Sequence, residues 1–497
     1  MNGGPPIVGG MTAMAGDLDA QVHETHTGVV ILLGDKAYKV KKPVVTDFLD
    51  FSTPESRQHA CEREVILNRR LAPQGYLGVG QFVGPAGEPS EPVIEMRRYP
   101  DSTRLASLVE AGEPVLQHLC VIAEMLAQFH REATRGPAID AEGRPDAISA
   151  RWHQNLAELE QHGRGIPERG SVAQLTRLVD QFIAGRAALF EKRLGEGRII
   201  DGHGDLLADD IFCVAEGPAL LDCLEFDDQL RYVDGIDDAA FLAMDLEFLG
   251  RADLGDAFID EYRRRADDPV PSSLTHFYIA YRAVVRAKVD CIRVSQGHQD
   301  ARAHARRHID IALKRLRTAT VRLVLVGGGP GTGKTTLSRG LSERVDAHVI
   351  STDDTRRQLQ QAGCLSGAAG ELDQGLYSRE NVAKVYDEVL RQAGLLLRRG
   401  TSVILDGTWR DQRQRERARK LAADNAVPLV ELTCTLPLEA AAARIVDRTE
   451  SSSDATPQIA AALATDQSLS SSEYHIDTRQ PLADSVAEAH RICCLAI

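Results

Sequence analysis

Hydrophobic and polar positions change period several times along the chain, and each change marks an element. In GVVILLGDKAYKVKKPV, residues 28–44, two apolar runs are split by Gly34-Asp35, which predicts two strands joined as a hairpin. Lys39 and Lys41 stand two apart on the second strand, so both point to one face, and a lysine pair there reads as a solvated edge. A helix is predicted over Pro54–Leu71, ending at Ala72-Pro73, followed by a Pro/Gly-rich hairpin and a short strand, Pro92–Arg98. Between residues 103 and 195 apolar positions such as Leu116, Leu119, Ile122, Leu126 and Phe129 recur at helical spacing. His130, next to Phe129, reads as a core or capping histidine, and Trp152–Arg193 supplies two more helices. Arg198–Phe226 alternates strand, turn and strand. Asp234–Arg317 is helical again, and Ala239–Leu249 is apolar enough to be buried all round. Beyond it strands alternate with helices: Leu323–Val326, Ala347–Ser351, Ser402–Asp406, Pro428–Thr433 and Arg491–Leu495. That order predicts a parallel sheet with helices on both faces.

Size and composition narrow the picture. At 497 residues the chain exceeds a single core, and its patterns divide near residue 318. The expected parts are a disordered 1–18, rich in Gly, Pro and Met, a module over 19–317 and a second over 318–497. A net charge of -14 argues against a general nucleic-acid or anionic-membrane surface. No apolar run approaches the roughly 18 residues that span a bilayer, and no secretory signal is visible. The nine cysteines, scattered from Cys61 to Cys494, fit a reducing cytoplasm, and Cys493-Cys494 lacks a second pair at zinc spacing.

The chemistry concentrates in three places. Leu323–Val326 runs into Gly328-Gly329-Pro330-Gly331-Thr332-Gly333-Lys334-Thr335-Thr336 and then into a helix-compatible segment, the strand, loop and helix of a P-loop. Glycines let successive N–H groups converge on phosphate oxygens, and the helix turns its positive end to the same anion. Lys334 can reach the β- and γ-phosphates, and the Thr335 hydroxyl can ligate Mg²⁺. Ligands of parallel sheets gather at the carboxyl ends of the strands. At those ends stand Ser351-Thr352-Asp353-Asp354 with Arg356 and Arg357, then Asp406-Gly407-Thr408, and last a helix with Arg444 and Arg448 before the polar stretch from Ser451. The third place is His203-Gly204-Asp205, with Asp209-Asp210 and Asp222 after it. Taken alone, two acidic turns of a hairpin account for this stretch as well as a catalytic frame does.

Residues 20–300 resemble the aminoglycoside phosphotransferase-like branch of the protein kinase fold, a bilobal α+β architecture. The match rests on His203-Gly204-Asp205, on Asp210 where that family usually has Asn, and on Asp222. The resemblance implies Asp205 as the catalytic aspartate and Asp210 and Asp222 as metal ligands. It further implies Lys39 as the nucleotide lysine paired with Glu64, and Met96 beside Arg97 near the adenine hinge. Asp at 210 keeps an oxygen ligand but adds a charge, and the segment His26–Leu33, where the family covers the phosphates, holds one glycine. The last third is similar to P-loop small-molecule kinases, the α/β group of gluconate and shikimate kinases and zeta-toxin-like proteins. By that similarity Asp353 accepts the acceptor's hydroxyl proton or binds Mg²⁺, Arg356 and Asp354 face the acceptor, and Asp406 binds the metal. Arg444 and Arg448 would belong to a lid over the phosphates. The order of the halves resembles fused bacterial proteins described as bifunctional aminoglycoside phosphotransferase-like and ATP-binding.

These resemblances imply an ATP- and Mg²⁺-dependent phosphotransferase with two nucleotide-binding domains, acting on a small hydroxylated metabolite such as a sugar, amino sugar or aminoglycoside-like acceptor. The expected partner is that small molecule, without nucleic acid or membrane, and the chain is expected as a monomer or homodimer. Two other readings stand beside it: an ATP-binding regulatory protein with a catalytically weak kinase-like domain, and a toxin-like kinase of cell-wall sugars. Asp227, Asp228, Asp234, Asp237 and Asp238 suit either an acidic pocket for a polycation or helix caps and solvated turns.

Overall fold

The computed structural model describes residues 20–24, 28–44, 50–83, 90–367, 374–446 and 474–497. The segment 1–18, His26, Arg448 and the serines at 451–453 and 470–472 lie outside the described residues. Contacts divide the chain into two units, Met1–Ala133 with Asp201–Arg231, and Thr134–Ile200 with Tyr232–Ile497.

Antiparallel pairing organises the first unit. Strands β1 (Gln21–Glu24), β2 (Gly28–Leu33), β3 (Lys36–Lys41), β4 (Tyr76–Phe82) and β5 (Glu91–Arg97) form a sheet in the order β1-β2-β3-β5-β4. Gly34, at φ 60°, closes the two-residue turn between β2 and β3, a conformation that favours glycine. Because β5 pairs along β3, that strand is interior, and the expected solvated edge is corrected: Lys41 is buried and Lys39 nearly so. Helix α1 (Pro54–Asn68) starts where Thr53 accepts a hydrogen bond from the Ser56 N–H with Pro54 in the first turn. It turns Cys61, Glu64, Val65 and Asn68 inward. Cys61 and Val65 join Tyr76, Ile94, Tyr99 and Phe212 in one core.

Helices α2 (Leu105–Glu110) and α3 (Leu116–Glu132) follow, the latter burying His130 as the sequence suggests. The chain then builds part of the second unit with α4 (Pro137–Glu142), α5 (Pro145–His162), α6 (Ser171–Gly185), α7 (Ala187–Gly195) and the short strand β6 (Ile199–Asp201). It returns for the hairpin β7 (Ile211–Val214) and β8 (Gly217–Leu220), which carries the acidic turns.

A helical body opens the rest of the second unit: β9 (Tyr232–Asp234), α8 (Gly235–Phe248), α9 (Ala252–Arg265), α10 (Ser272–Ser295) and α11 (Ala301–Ala319). Every residue of α8 from Gly235 to Met244 is buried, the carboxylates Asp237 and Asp238 included, and the apolar stretch Ala239–Met244 covers every face of the helix. Trp152 packs its ring 5.2 Å from those of Phe277 and Tyr281.

The parallel sheet consists of β10 (Leu323–Gly327), β11 (Ala347–Ser351), β12 (Ser402–Asp406), β13 (Leu429–Thr435) and β14 (Tyr474–Asp477), in the order β11-β12-β10-β13-β14. Around it lie α12 (Lys334–Val345), α13 (Thr352–Gln361), α14 (Arg379–Arg398), α15 (Gln412–Asp424), α16 (Leu438–Val446) and α17 (Leu482–Leu495). Period two in β10 sends Leu323 and Leu325 to one core and Val324 and Val326 to the other, so both faces are covered. The strand expected at Arg491–Leu495 is instead the end of α17, which buries Val486, Ala489, Ile492 and Cys493 at helical spacing. Five apolar-rich residues do not fix a period, and Tyr474–Asp477 takes the place beside β13. Among the described residues no helix is long and apolar enough to cross a membrane.

Candidate functional site

In the first unit β3 holds Lys39 with its Nζ 2.8 Å from Glu64 Oε1 and 2.7 Å from Asp222 Oδ1. Burial would lower the lysine's pKa, but Asp222 and Glu64 beside it raise it well above its ordinary value, so it is an ammonium. Lys39 in turn holds the Asp222 carboxyl below its usual range. Asp222 adopts φ 63°, unusual for a residue with a Cβ, and the strained turn is tied at two points. Its own N–H faces the Tyr76 hydroxyl at 3.4 Å, and the Cys223 N–H donates to Asn68 Oδ1 at 2.9 Å. Asn68 Nδ2 donates to the Glu64 carbonyl, so the end of α1 fastens the aspartate's loop.

His203 is fully buried, one ring nitrogen 3.1 Å from the Leu221 carbonyl and the other facing the Asp205 N–H at 3.4 Å. Gly204, at φ 87°, leaves no room for a Cβ, which would lie 3.1 Å from Arg231 Cγ. Asp205 is thereby presented from a fixed turn. Burial and the nearby Asp222 and Asp205 push the Asp210 carboxyl well up. Asp210 and Asp222 are the carboxylates that would hold a divalent cation here, and its charge would offset their mutual repulsion. Met96 lies on β5 opposite Ala37 and packs on the core that includes Cys61 and Tyr76.

The second unit holds the P-loop between β10 and α12. Gly328, Gly331 and Gly333 have φ 135°, 78° and 87°, the backbone freedom the motif needs. Lys334 Nζ donates to the Gly329 carbonyl at 2.9 Å, and Thr332 Oγ1 donates to the same oxygen at 2.8 Å. Pro330 is half-buried beside them, and Thr336 is exposed in the first turn of α12. The Thr335 hydroxyl donates to Asp406 Oδ2 at 2.6 Å, joining the start of α12 to the carboxyl end of β12. Burial raises the Asp406 carboxyl although Thr335 and Lys334 oppose it. A hydroxyl and a buried carboxylate in contact are a donor set suited to Mg²⁺. Among the described residues no group of three or more His, Cys, Asp or Glu is arranged to hold a metal ion. A cation at either place would therefore complete its shell with phosphate and water oxygens.

At the end of β11 the Ser351 side chain caps α13. Asp353 Oδ1 pairs with Arg356 Nη1 at 2.6 Å, and the buried Arg356 guanidinium lies 4.3 Å from the Tyr377 ring centroid. Asp354 is exposed and paired with Arg357 at 3.1 Å. Arg444 Nη2 donates to the Thr478 carbonyl at 2.8 Å, and the Thr478 hydroxyl donates to Thr332 O of the P-loop at 2.8 Å.

Asp228, Asp234 and Asp237 are matched by arginines: Arg231 and Arg63, Arg193, and Arg282 respectively. Asp234 also caps α8. Sequence reasoning missed Asn68, Tyr76, Thr478, Lys41 and Glu225. Asn68 stands one turn beyond Glu64, and Lys41 shares the face of Lys39, so spacing offered a signal for those two.

An uncharacterized protein of Mycobacterium tuberculosis (strain ATCC 25618 / H37Rv) is 56% identical over 476 residues, covering 96% of each chain. This chain belongs to the same family as that mycobacterial protein. Residues 323–469 of this chain, which hold β10 to β13, match the sequence family described as an AAA domain. A shikimate kinase of Corynebacterium diphtheriae is 30% identical over 121 residues, 22% of this chain and 69% of that one. A crystal structure of a choline/ethanolamine kinase family protein from Mesorhizobium loti, 12% identical, covers 63% of this chain and 95% of its own at a TM-score of 0.36. This chain thus joins an amino-terminal part built on a five-stranded antiparallel sheet to a P-loop kinase fold built on a parallel one.

Proposed function

We propose that the chain is an ATP- and Mg²⁺-dependent phosphotransferase with two nucleotide sites, acting on a hydroxyl of a small metabolite. The Thr335–Asp406 contact beside Lys334 carries the reading, because it sets a hydroxyl and a carboxylate where a phosphate-bound cation is held. In the second unit, N–H groups of residues 329–335 would bind phosphate oxygens, and Lys334 would leave the Gly329 carbonyl for the β- and γ-phosphates. The cation, when bound, supplies charge neutralisation at the phosphates. Asp353 would take the acceptor's hydroxyl proton as the new P–O bond forms and the bond to the β-phosphate oxygen breaks. Arg356, braced on Tyr377, would orient the acceptor, and Arg444 would cover the phosphates. In the first unit Lys39 would bind phosphates with Glu64 orienting it, Asp210 and Asp222 would hold the cation, and Asp205 would act on the acceptor.

Asp234 and Asp237 are already paired with Arg193 and Arg282 and offer no free charge to a polycation, so we favour a sugar or polyol over an aminoglycoside. All nine cysteines are free thiols, in keeping with a cytoplasmic place. The added charge at Asp210 favours one alternative, an ATP-binding regulatory role for the first unit.

The test is ADP release across sugars, amino sugars and polyols with the wild type, Asp205→Asn and Lys334→Ala. Acceptor-dependent release should fall about 10²–10⁴-fold in whichever variant strikes the active site. ATP binding without acceptor-dependent release from the wild type, across the whole panel, would turn the reading to regulation.

A further inference from the structure

Lys39 accounts for one oxygen of Glu64. The other, Oε2, lies 2.6 Å from Nζ of Lys41, an ion pair too oblique for a hydrogen bond. Neither the Glu64 nor the Lys41 side chain has exposed surface. Lys41 also donates to Glu225 Oε1, and its ammonium stands 5.6 Å from the centroid of the Phe51 ring. Five charges therefore alternate in a chain: Asp222, Lys39, Glu64, Lys41 and Glu225. Both ends of that chain fall on one four-residue segment, 222–225.

The two lysines have different freedom. Lys39 divides its ammonium between Glu64 and Asp222, and the Asp222 side chain is 46% exposed, so incoming phosphates can draw Lys39 away. Glu64 would then lose one of its two counter-charges in a place water does not reach, which is strongly unfavourable for a lone carboxylate. Lys41 is the second counter-charge, and its own partners are inaccessible or nearly so.

We propose that Lys41, with Glu225, is a positioning residue of the nucleotide site. It keeps Glu64 in register while Lys39 turns to the phosphates, and through Glu225 it holds the segment that presents Asp222. The inference rests on reading the first unit as a nucleotide site, and goes beyond it by assigning the second lysine of β3 a role in binding Mg·ATP.

The test uses the full chain carrying Lys334→Ala, so that the response to nucleotide reports on the first unit. Mg·ATP affinity by calorimetry and the ligand-free melting temperature are compared for Lys41→Met, Lys41→Arg, Glu225→Gln and Lys39→Met. The expected result is a loss of affinity of about tenfold or more in Lys41→Met, substantially restored in Lys41→Arg, with a smaller loss in Glu225→Gln. A lowered melting temperature with undiminished affinity would overturn the proposal and leave Lys41 a purely structural ion. If Lys41→Met does not fold, Glu225→Gln decides: weakened affinity supports the role and unchanged affinity overturns it. If the parent chain binds no Mg·ATP and Lys39→Met changes nothing, the nucleotide reading of the first unit fails and takes this inference with it. Sensitivity to Lys39→Met without sensitivity to Lys41→Met sinks the inference alone.

Discussion

Single groups in this chain have ionisation states that only their surroundings explain. Asp210 is pushed up by burial and by the neighbouring carboxylates, so ionising it opposes folding at pH values above its unfolded pKa. Asp210→Asn removes that opposition. Without Mg²⁺ at neutral pH, the variant should melt roughly 2–4 °C higher for each kcal/mol relieved, and Mg·ATP should raise its melting temperature less than that of the wild type. A lower melting temperature would show that the carboxylate is already compensated. His276 moves the other way, pushed down to about 4 by burial and by Arg315, whose Nη1 lies 2.9 Å from its Nδ1. The unfolded chain takes up this proton below about pH 6.5 while the folded chain does not, so stability is lost as the pH falls from about 6.5 towards 4. At pH 5 the loss is about 2 kcal/mol, and His276→Gln should flatten the fall in melting temperature between pH 7 and pH 5. An unchanged slope would place the acid sensitivity elsewhere.

Helices, strands and the loops between them carry the site residues, and here spacing was a good but incomplete guide. The P-loop was legible because its chemistry is contiguous: nine residues from Gly328 to Thr336 hold the whole anion cradle. Close packing adds a demand that the motif does not state. A Cβ on Gly331 would collide with the Ala441 carbonyl on α16, whereas one on Gly329 would meet only Thr332 Cγ2 at 3.9 Å. Gly331→Ala should therefore weaken nucleotide binding at the P-loop well beyond Gly329→Ala, as titration with a fluorescent ATP analogue would show. Equal effects would mean that α16 yields easily. The Lys39–Glu64–Asp222 set was legible only through family resemblance, since 183 residues separate Lys39 from Asp222. Lys41 was misread for a related reason. Two lysines on alternate positions look solvated unless the strand on the far side, β5, is known to pair there.

In the second unit of the whole molecule, the helical body and the parallel sheet meet at Arg186, where α6 gives way to α7. Its guanidinium is buried and pushed down to about 10, with no carboxylate among the described residues to offset burial. Instead it donates to the carbonyls of Leu397 at 2.6 Å, Asn425 at 3.0 Å and Ala426 at 3.4 Å, at the ends of α14 and α15. Those are the negative ends of two helices, which suits a cation. Ser273 adds a bond to the Gly400 carbonyl at 2.6 Å, and a Cβ on Gly185 would strike the Asn425 carbonyl. Arg186→Met should destabilise this unit by about 2–4 kcal/mol, since buried carbonyls lose their donors. In calorimetry one transition should separate into two, and an unchanged single transition would show that apolar contact alone joins the parts.

The sequence by itself determined the P-loop, the alternation of strands and helices up to β13, the buried α8 and the hairpin at Gly34, because each is written in neighbouring residues through period, turn chemistry or a contiguous motif. Tertiary structure decided which charges are buried and which partners they have. It made Lys41 a core residue, matched Asp234 and Asp237 to arginines, and gave the place beside β13 to Tyr474–Asp477. Those outcomes depend on pairing between segments far apart in the chain, and no local pattern encodes what will stand on the other side of a strand.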